Sequence, residues 1–436
     1  MQKVSEEGLV RGIRQWDLVG VVINGIIGAG IFVLPARSFK LIGSYSLIAF
    51  VLCAFVCALI ILCFVEVSSR FTGTGGPYLY AQEAFGPAVG FQVGWMNWTA
   101  RVSAYATNCN LLVVYLGYFW PAASTGFWRA VLITLITLTL TIINYIGVRD
   151  AAITSNFFAV SKLLPMVLFI ATGLFFLTPE NFTLGDYPSY GSFSTSVLLL
   201  VYAFTGFENA SVPAGEVVNP RRNLPFALLT GLGIVTVVYL LIQTVSIGTM
   251  RDLGNTERPL ADAAAIFLGP VGASIIAAGA IISVLGNLNV NILTTPRILF
   301  AMSSRRELPE ILSDVHKRFK TPHVAILGTA ALMLALTLSS SLIYALTVST
   351  IARLLAYAAT CAALPRLRHK KGVPEALVKI PGGVVISVVA ILLSIWLLTN
   401  STYVEARDSA IAVAAGVAIY LSYRLVRGSK VGRAKT

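Results

Sequence analysis

The sequence predicts an all-α integral membrane protein of twelve transmembrane helices. Ten of them form two five-span halves of opposite orientation, and the first and sixth helices are broken in mid-membrane. Three observations predict this architecture. The composition is too apolar for a soluble chain, apolar stretches of membrane-spanning length recur from end to end, and two of those stretches carry matching glycine interruptions.

Of 436 residues, 56% are hydrophobic and only 12% are charged, against an apolar share of about 45–50% in soluble domains. Apolar runs fall at 14–38, 45–69, 87–118, 128–147, 151–177, 192–216, 225–249, 268–302, 322–338, 342–364, 383–399 and 408–427. Each is long enough for a helix across a hydrocarbon core of about 30 Å, and a helix satisfies its own backbone hydrogen bonds there. The runs at 87–118 and 268–302 are long enough to tilt strongly or to continue into the cytoplasm. The expected organisation is a tail and first half over 1–177, a second half over 178–364, and two further spans with a basic tail over 365–436.

The first run contains "NGIIGAGIFVLP", with Gly28 in mid-span and Pro35 seven residues later. The sixth contains "YAFTGFENASVPAGE", with Gly206 and Pro213 at the same separation. These runs head two groups of five spans, and five is odd, so the second group enters the membrane from the opposite side. Matching breaks at matching positions are what an inverted repeat predicts. A helix opened in mid-membrane exposes N–H groups at one half-helix start and C=O groups at the other half-helix end. Unsatisfied in lipid, each costs several kcal/mol. A ligand that supplies a carboxylate to the N–H groups and an ammonium to the C=O groups relieves both, and a zwitterionic amino acid does so. Glycine also serves close helix packing in membranes, so "GAG" alone does not decide between the two readings.

Most of the 32 lysines and arginines fall on one side of this topology, among them Arg11, Arg14, Arg70, Arg221, Arg222, Arg305, Arg306, Arg366, Arg368, Lys370 and Lys371, with Lys3, Arg149, Lys320 and Lys435 in the tails and loops. Arg37, Lys40, Arg129, Arg251, Arg258 and Arg407 fall on the other. By the positive-inside rule both termini are cytoplasmic, in a plasma (inner) membrane. The net charge of +13 is accordingly spread over loops and tails, not gathered into a nucleic-acid-binding face. The tail before the first span carries both charge signs and no small-residue cleavage site follows the span, so the reading holds no signal peptide.

Cys53, Cys57, Cys63, Cys109 and Cys361 all lie in spans, and His316, His323 and His369 in loops. That placement offers no disulfide or metal framework, no cofactor site and no catalytic cluster at membrane depth, which argues against an enzyme. A channel needs a continuous or ring-like filter, and the two breaks do not supply one.

"GIIGAGIF" in the first run, "GTGGPYLYAQEAFGPAVGFQVGW" over 73–95, "AFTGFE" followed by "GEVVNPRRNLP" over 215–225, and "PRILFAMSSRRELPEIL" over 296–312 together resemble the amino acid–polyamine–organocation (APC) superfamily, across nearly the whole chain. The resemblance implies the leucine-transporter fold and a secondary transporter. It also implies a substrate carboxylate on the backbone of Gly28, Ala29 and Gly30, and an ammonium on the carbonyls of Ile26, Tyr202 and Thr205 next to Gly206. Tyr202 and Phe204 stand where the family carries aromatic lids, with ordinary core packing as the alternative. Ala29 stands where many relatives carry serine or threonine, so a hydroxyl contact is missing.

Three basic side chains, Arg101, Lys162 and Arg353, fall inside spans. Lys162 lies about eleven residues into the fifth run, roughly 16 Å from its cytoplasmic end and too deep to snorkel. Burial disfavours its charged form, and by the resemblance a lysine here replaces a sodium ion, which points to proton coupling or ion-free exchange. The alternative is a permanent structural ammonium. Glu208, just after the second break, is either a second gating or proton-carrying group or a static ion pair. Glu66 and Arg70 have the i,i+4 spacing of an interfacial pair.

The expectation from sequence is therefore a transporter of a neutral, small to medium amino acid, working by alternating access with protons as partner in a lipid bilayer. Amino acid or amine exchange remains open, as does a membrane sensor that binds without transport. The sequence does not indicate an oligomeric state.

Overall fold

The computed structural model describes residues 11–146, 151–319 and 321–433. Lys3, Arg149, Lys320 and Lys435, which entered the orientation argument, lie outside the described residues. Among the described residues fourteen α-helices follow in order: α1 (Gln15–Ile26), α2 (Gly30–Ile42), α3 (Ser46–Ser68), α4 (Pro77–Phe85), α5 (Pro87–Phe119), α6 (Gly126–Ile146), α7 (Ala151–Gly173), α8 (Tyr190–Phe204), α9 (Pro220–Thr249), α10 (Pro259–Ser304), α11 (His323–Ser339), α12 (Leu342–His369), α13 (Gly383–Leu398) and α14 (Tyr403–Arg433). No strand occurs among the described residues; a single bridge pairs Ile13 with Val217.

Helix starts follow the local chemistry. Arg14 N–H bonds the Asp17 carboxylate at 3.0 Å before α1, and α4, α5, α9 and α10 each open on proline, whose missing N–H is one of the unpaired donors of a first turn anyway. A helix lies in every predicted apolar run, with ends within a few residues of expectation for most. Among the described residues, six segments are long and apolar enough to cross a membrane: Gly30–Ser68, Gly126–Ile146, Tyr190–Ser211, Pro220–Thr249, Pro259–Ser304 and Leu342–His369.

Burial runs contrary to that of a soluble bundle. Phe55, Leu135, Ile142, Leu164, Val388 and Leu392 are exposed on helix exteriors, whereas Asn24, Asn97, Arg101, Asn108, Lys162, Glu208, Asn287 and Arg353 are buried. Large apolar side chains outside and ionisable ones inside are the pattern of a bundle solvated by lipid.

Three departures from the sequence reading have local causes. The short helix α4 arises between the second and third predicted runs, where Gly76 takes a positive φ and Pro77 starts a new helix. Ahead of the predicted run, residues 259–268 form a separate helical segment, set off from the rest of α10 by Gly269, whose non-helical φ of 66° is accessible to glycine. The stretch after Gly206 does not form a second α-helical half. It runs as two short 3-10 turns, Phe207–Ser211 and Ala214–Glu216, separated by Pro213, which cannot donate a ladder hydrogen bond. Pro35, by contrast, is accommodated within α2.

Helix α1 packs on α7, α9 and the turn at Phe207–Ser211; α2 lies on α8; α5 packs on α10 and α12. The two interruptions thereby meet at the centre of the bundle, between α5, α10 and α12.

Candidate functional site

The first helix stops at Ile26 and resumes at Gly30, and the sixth run stops at Phe204. Gly25 and Gly206 bring the two stops into backbone contact. A Cβ on Gly206 would lie 2.1 Å from Gly25 O, and one on Gly25 would lie 2.4 Å from Gly206 O. Gly206 also has φ 105°, a conformation L side chains rarely adopt. No larger residue fits at either position without displacing a main chain.

A small cavity of about 10 Å³ lies between the breaks, lined by Gly25, Ile26, Gly28, Tyr202 and Thr205 from the two interrupted segments, and by Ala104, Asn108, Asn209, Asn287, Asn291 and Arg353 around them. That is room for about one water. Of the sequence-predicted residues, Ile26, Gly28, Tyr202 and Thr205 line it, while Ala29, Gly30, Phe204 and Gly206 do not. Phe204 turns away, its ring packed edge-on against Tyr239 at 5.1 Å and Phe50 at 6.4 Å.

In this arrangement the polar groups of the breaks bond one another. Ala29 N–H donates to Asn108 Oδ1 at 2.8 Å. Tyr202 O accepts from Thr205 N–H at 3.2 Å and Thr205 Oγ1 at 2.8 Å. Ile26 O accepts from the Tyr239 hydroxyl at 3.3 Å. Asn287 Nδ2 donates to Asn24 O at 3.0 Å and Gly25 O at 3.3 Å. A molecule entering here must exchange partners with these bonds as well as displace side chains.

Lys162, fully buried on α7, donates from Nζ to Ile27 O at 2.8 Å and Asn24 O at 3.5 Å. Both carbonyls lie at the end of α1, where the helix leaves acceptors unpaired, so the ammonium ties α7 to the first break. Beside the second break, Glu208 Oε1 pairs with Arg353 Nη1 at 3.0 Å, and Oε2 accepts from the Tyr357 hydroxyl at 2.5 Å and from Gly206 N–H at 3.0 Å. Glu208 thus joins α12 to the break. Arg101 has neutral partners, Asn97 Oδ1 at 3.1 Å and Thr294 Oγ1 at 2.8 Å.

The asparagines around the cavity were missed by the sequence reading, although amides at Asn108, Asn287 and Asn291 within apolar runs are a signal. Glu66 differs in its main partner: Arg368 binds both its oxygens, at 2.7 and 2.6 Å, and Ile380 N–H adds a bond at 2.9 Å, while Arg70 stands at 3.5 Å. A second carboxylate, Glu307 just beyond α10, accepts from the Tyr78 hydroxyl at 2.7 Å and Gln82 Nε2 at 3.0 Å, fastening α4 to the end of α10. Burial raises the Glu307 carboxyl above the usual carboxylate range, against the opposing Tyr78 hydrogen bond and the Arg305 charge. Among the described residues no histidine, cysteine and carboxylate group is arranged to hold a metal ion.

A family model described as amino acid permease matches residues 13–421. The serine/threonine exchanger SteT of Bacillus subtilis (strain 168) is 30% identical, over 77% of this chain and 78% of its own. The branched-chain amino acid permease BcaP of the same organism is 28% identical, over 96% of this chain and 94% of its own. The arginine/agmatine antiporter of Chlamydia pneumoniae is 27% identical, over 96% and 90%.

Proposed function

The chain belongs to the amino acid permease family, and from that premise we propose that it is a secondary transporter that carries an amino acid across the cell membrane by alternating access around the cavity between the two interrupted helices. One observation carries the reading: the backbone of both interruptions converges, through Gly25 and Gly206, on one small polar cavity in the middle of an apolar-surfaced bundle. A zwitterion matches its N–H and C=O groups. In this reading Gly28, Ala29 and Gly30 receive the carboxylate and Ile26, Tyr202 and Thr205 the ammonium, after the Asn108 and Thr205 side chains release them.

The cavity's small volume supports a cycle in which α1 and the turn after α8 move apart to admit the substrate. Lys162 is suited to couple that motion to a proton. Charged, it holds the Ile27 and Asn24 carbonyls; neutral, it loses most of the strength of those bonds and frees the end of α1. Glu208 and Arg353 form the gate on the other break. The twelve spans then fall into an inverted pair, 1–177 and 178–364, with 365–436 as an appendix and both termini inside. Similarity to two proteins named as an exchanger and an antiporter favours a second reading, obligate exchange with Lys162 as a permanent tie.

Purified protein in proteoliposomes separates the two. Radiolabelled amino acid is offered with an inward pH gradient, without one, and to vesicles preloaded with unlabelled amino acid. Gradient-driven uptake that Lys162→Ala loses supports coupling, and uptake confined to preloaded vesicles supports exchange. No uptake of any amino acid under the three conditions refutes the transporter reading.

A further inference from the structure

The relatives do not select a substrate, since their names span hydroxylated, branched and cationic amino acids. The cavity wall does. Of its four asparagines, two are saturated. Asn108 accepts from Ala29 N–H and donates to Ala104 O at 2.7 Å and the Tyr202 hydroxyl at 3.2 Å. Asn287 donates to the α1 carbonyls and accepts from Asn291 Nδ2 at 2.8 Å. The other two each leave an amide oxygen without a partner: Asn209 Oδ1 and Asn291 Oδ1, on residues 1% and 2% exposed. Arg353, 4% exposed, leaves Nε without an acceptor, and its Nη1 stands 3.0 Å from Glu208 Oε1 as an ion pair. Leaving a buried polar atom without a partner is costly, and all three residues line the same small space.

We propose that this cavity selects a neutral amino acid whose side chain ends in a hydroxyl or primary amide, a group able to accept from Arg353 Nε and donate to Asn209 or Asn291 Oδ1. The inference rests on the transport reading above and narrows its substrate. An aliphatic side chain of the same shape leaves all three atoms unpaired, and a site built to bond a polar group rejects an analogue lacking it strongly. A cationic side chain meets the guanidinium of Arg353, the one charged side chain among the described residues lining the cavity. The Arg353 charge is already paired with Glu208, so an anionic side chain gains no free counter-ion there.

The test uses near-isosteric pairs in proteoliposomes: threonine against valine, asparagine against leucine, with aspartate and lysine as charged comparators. The expected result is a kcat/KM at least about tenfold higher for threonine than valine and for asparagine than leucine, with lysine and aspartate poorer than asparagine. The double substitution Arg353→Gln with Glu208→Gln removes both charges together, so that neither is buried alone. It is expected to reduce the threonine-to-valine ratio to within about threefold. Loss of fold in that variant, read by size exclusion and thermal unfolding, transfers the test to Asn209→Ala and Asn291→Ala, each expected to lower the ratio. Threonine and valine transported within twofold of each other, or lysine or aspartate preferred to asparagine, overturns the inference and leaves the transporter reading intact. Absence of all amino acid uptake overturns both.

Discussion

Substituting Gly206 by alanine puts the meeting of the two helix interruptions to a quantitative test. The added Cβ would stand 2.1 Å from Gly25 O and 2.7 Å from Gly25 C, so the main chains must separate by about 1.3 Å to reach ordinary contact at 3.4 Å. The residue would also hold φ 105° with a side chain, a strain of about 1–3 kcal/mol. Overpacking against backbone adds about 1–3 kcal/mol, which together is about 2–6 kcal/mol, a large fraction of an ordinary folding stability of about 5–15 kcal/mol. Thermal unfolding of purified protein, followed by tryptophan fluorescence, should show a midpoint lowered by roughly 2–7 °C for a chain of this length, and uptake should fall at least about tenfold even at temperatures where the protein stays folded. Gly233→Ala is the control: it lies in α9 with nothing within 4 Å of an added Cβ, and alanine there should be neutral or gain up to about 1 kcal/mol from helix propensity. Equal stability and equal uptake for the two variants would refute the close contact of the breaks.

Other expectations concern the charges. Lys162→Gln keeps a donor to Ile27 O but no titrating ammonium, so proton-gradient stimulation should vanish while exchange into preloaded vesicles persists; retained stimulation rules the coupling role out. Glu66→Gln breaks a pair whose carboxylate is fully buried while Arg368 is 27% exposed, and should destabilise by about 3 kcal/mol, the low end for a buried pair, read as a lower unfolding midpoint. Glu307 has a raised native pKa, so the folded protein holds its proton to higher pH than the unfolded chain does. Its contribution to stability is fully present below about pH 4.3 and is lost as pH rises through the native value. Glu307→Gln should flatten the fall of the unfolding midpoint with rising pH above that point, and an unchanged pH profile excludes Glu307 as a source of it.

The course of the helices was legible in the sequence because membrane-spanning runs are long and their ends are marked by proline, glycine and charge. The stops near Gly28 and Gly206 were legible for the same reason: each is a local weakness in an otherwise uniform apolar run. The rotation of each helix about its axis was not. Tyr202 and Phe204 are two residues apart, yet one faces the cavity and the other packs on Phe50 and Tyr239, and in a segment apolar on every side no periodicity reveals which. Pairings across long stretches of chain were equally hidden. Glu208 finds Arg353 and Tyr357 on α12, and Glu66 finds Arg368 rather than only its helical neighbour Arg70. Helix α4 escaped notice because nine residues between two glycines leave little periodic signal, and its fastening to Glu307 is a tertiary contact.

The central claim is that the space between the two interruptions holds the amino acid, and direct binding tests it without any assumption about coupling. Purified protein and its Gly28→Leu variant are compared for equilibrium binding of radiolabelled threonine and asparagine, with thermal unfolding as a check of fold. A Cβ on Gly28 would stand 2.9 Å from Asn108 Oδ1 and 3.1 Å from Asn287 Nδ2, so leucine fills the cavity. Saturable binding by the parent protein that the folded variant loses at least about a hundredfold is the predicted result. A folded Gly28→Leu protein that binds with unchanged Kd would place the substrate elsewhere and contradict the account.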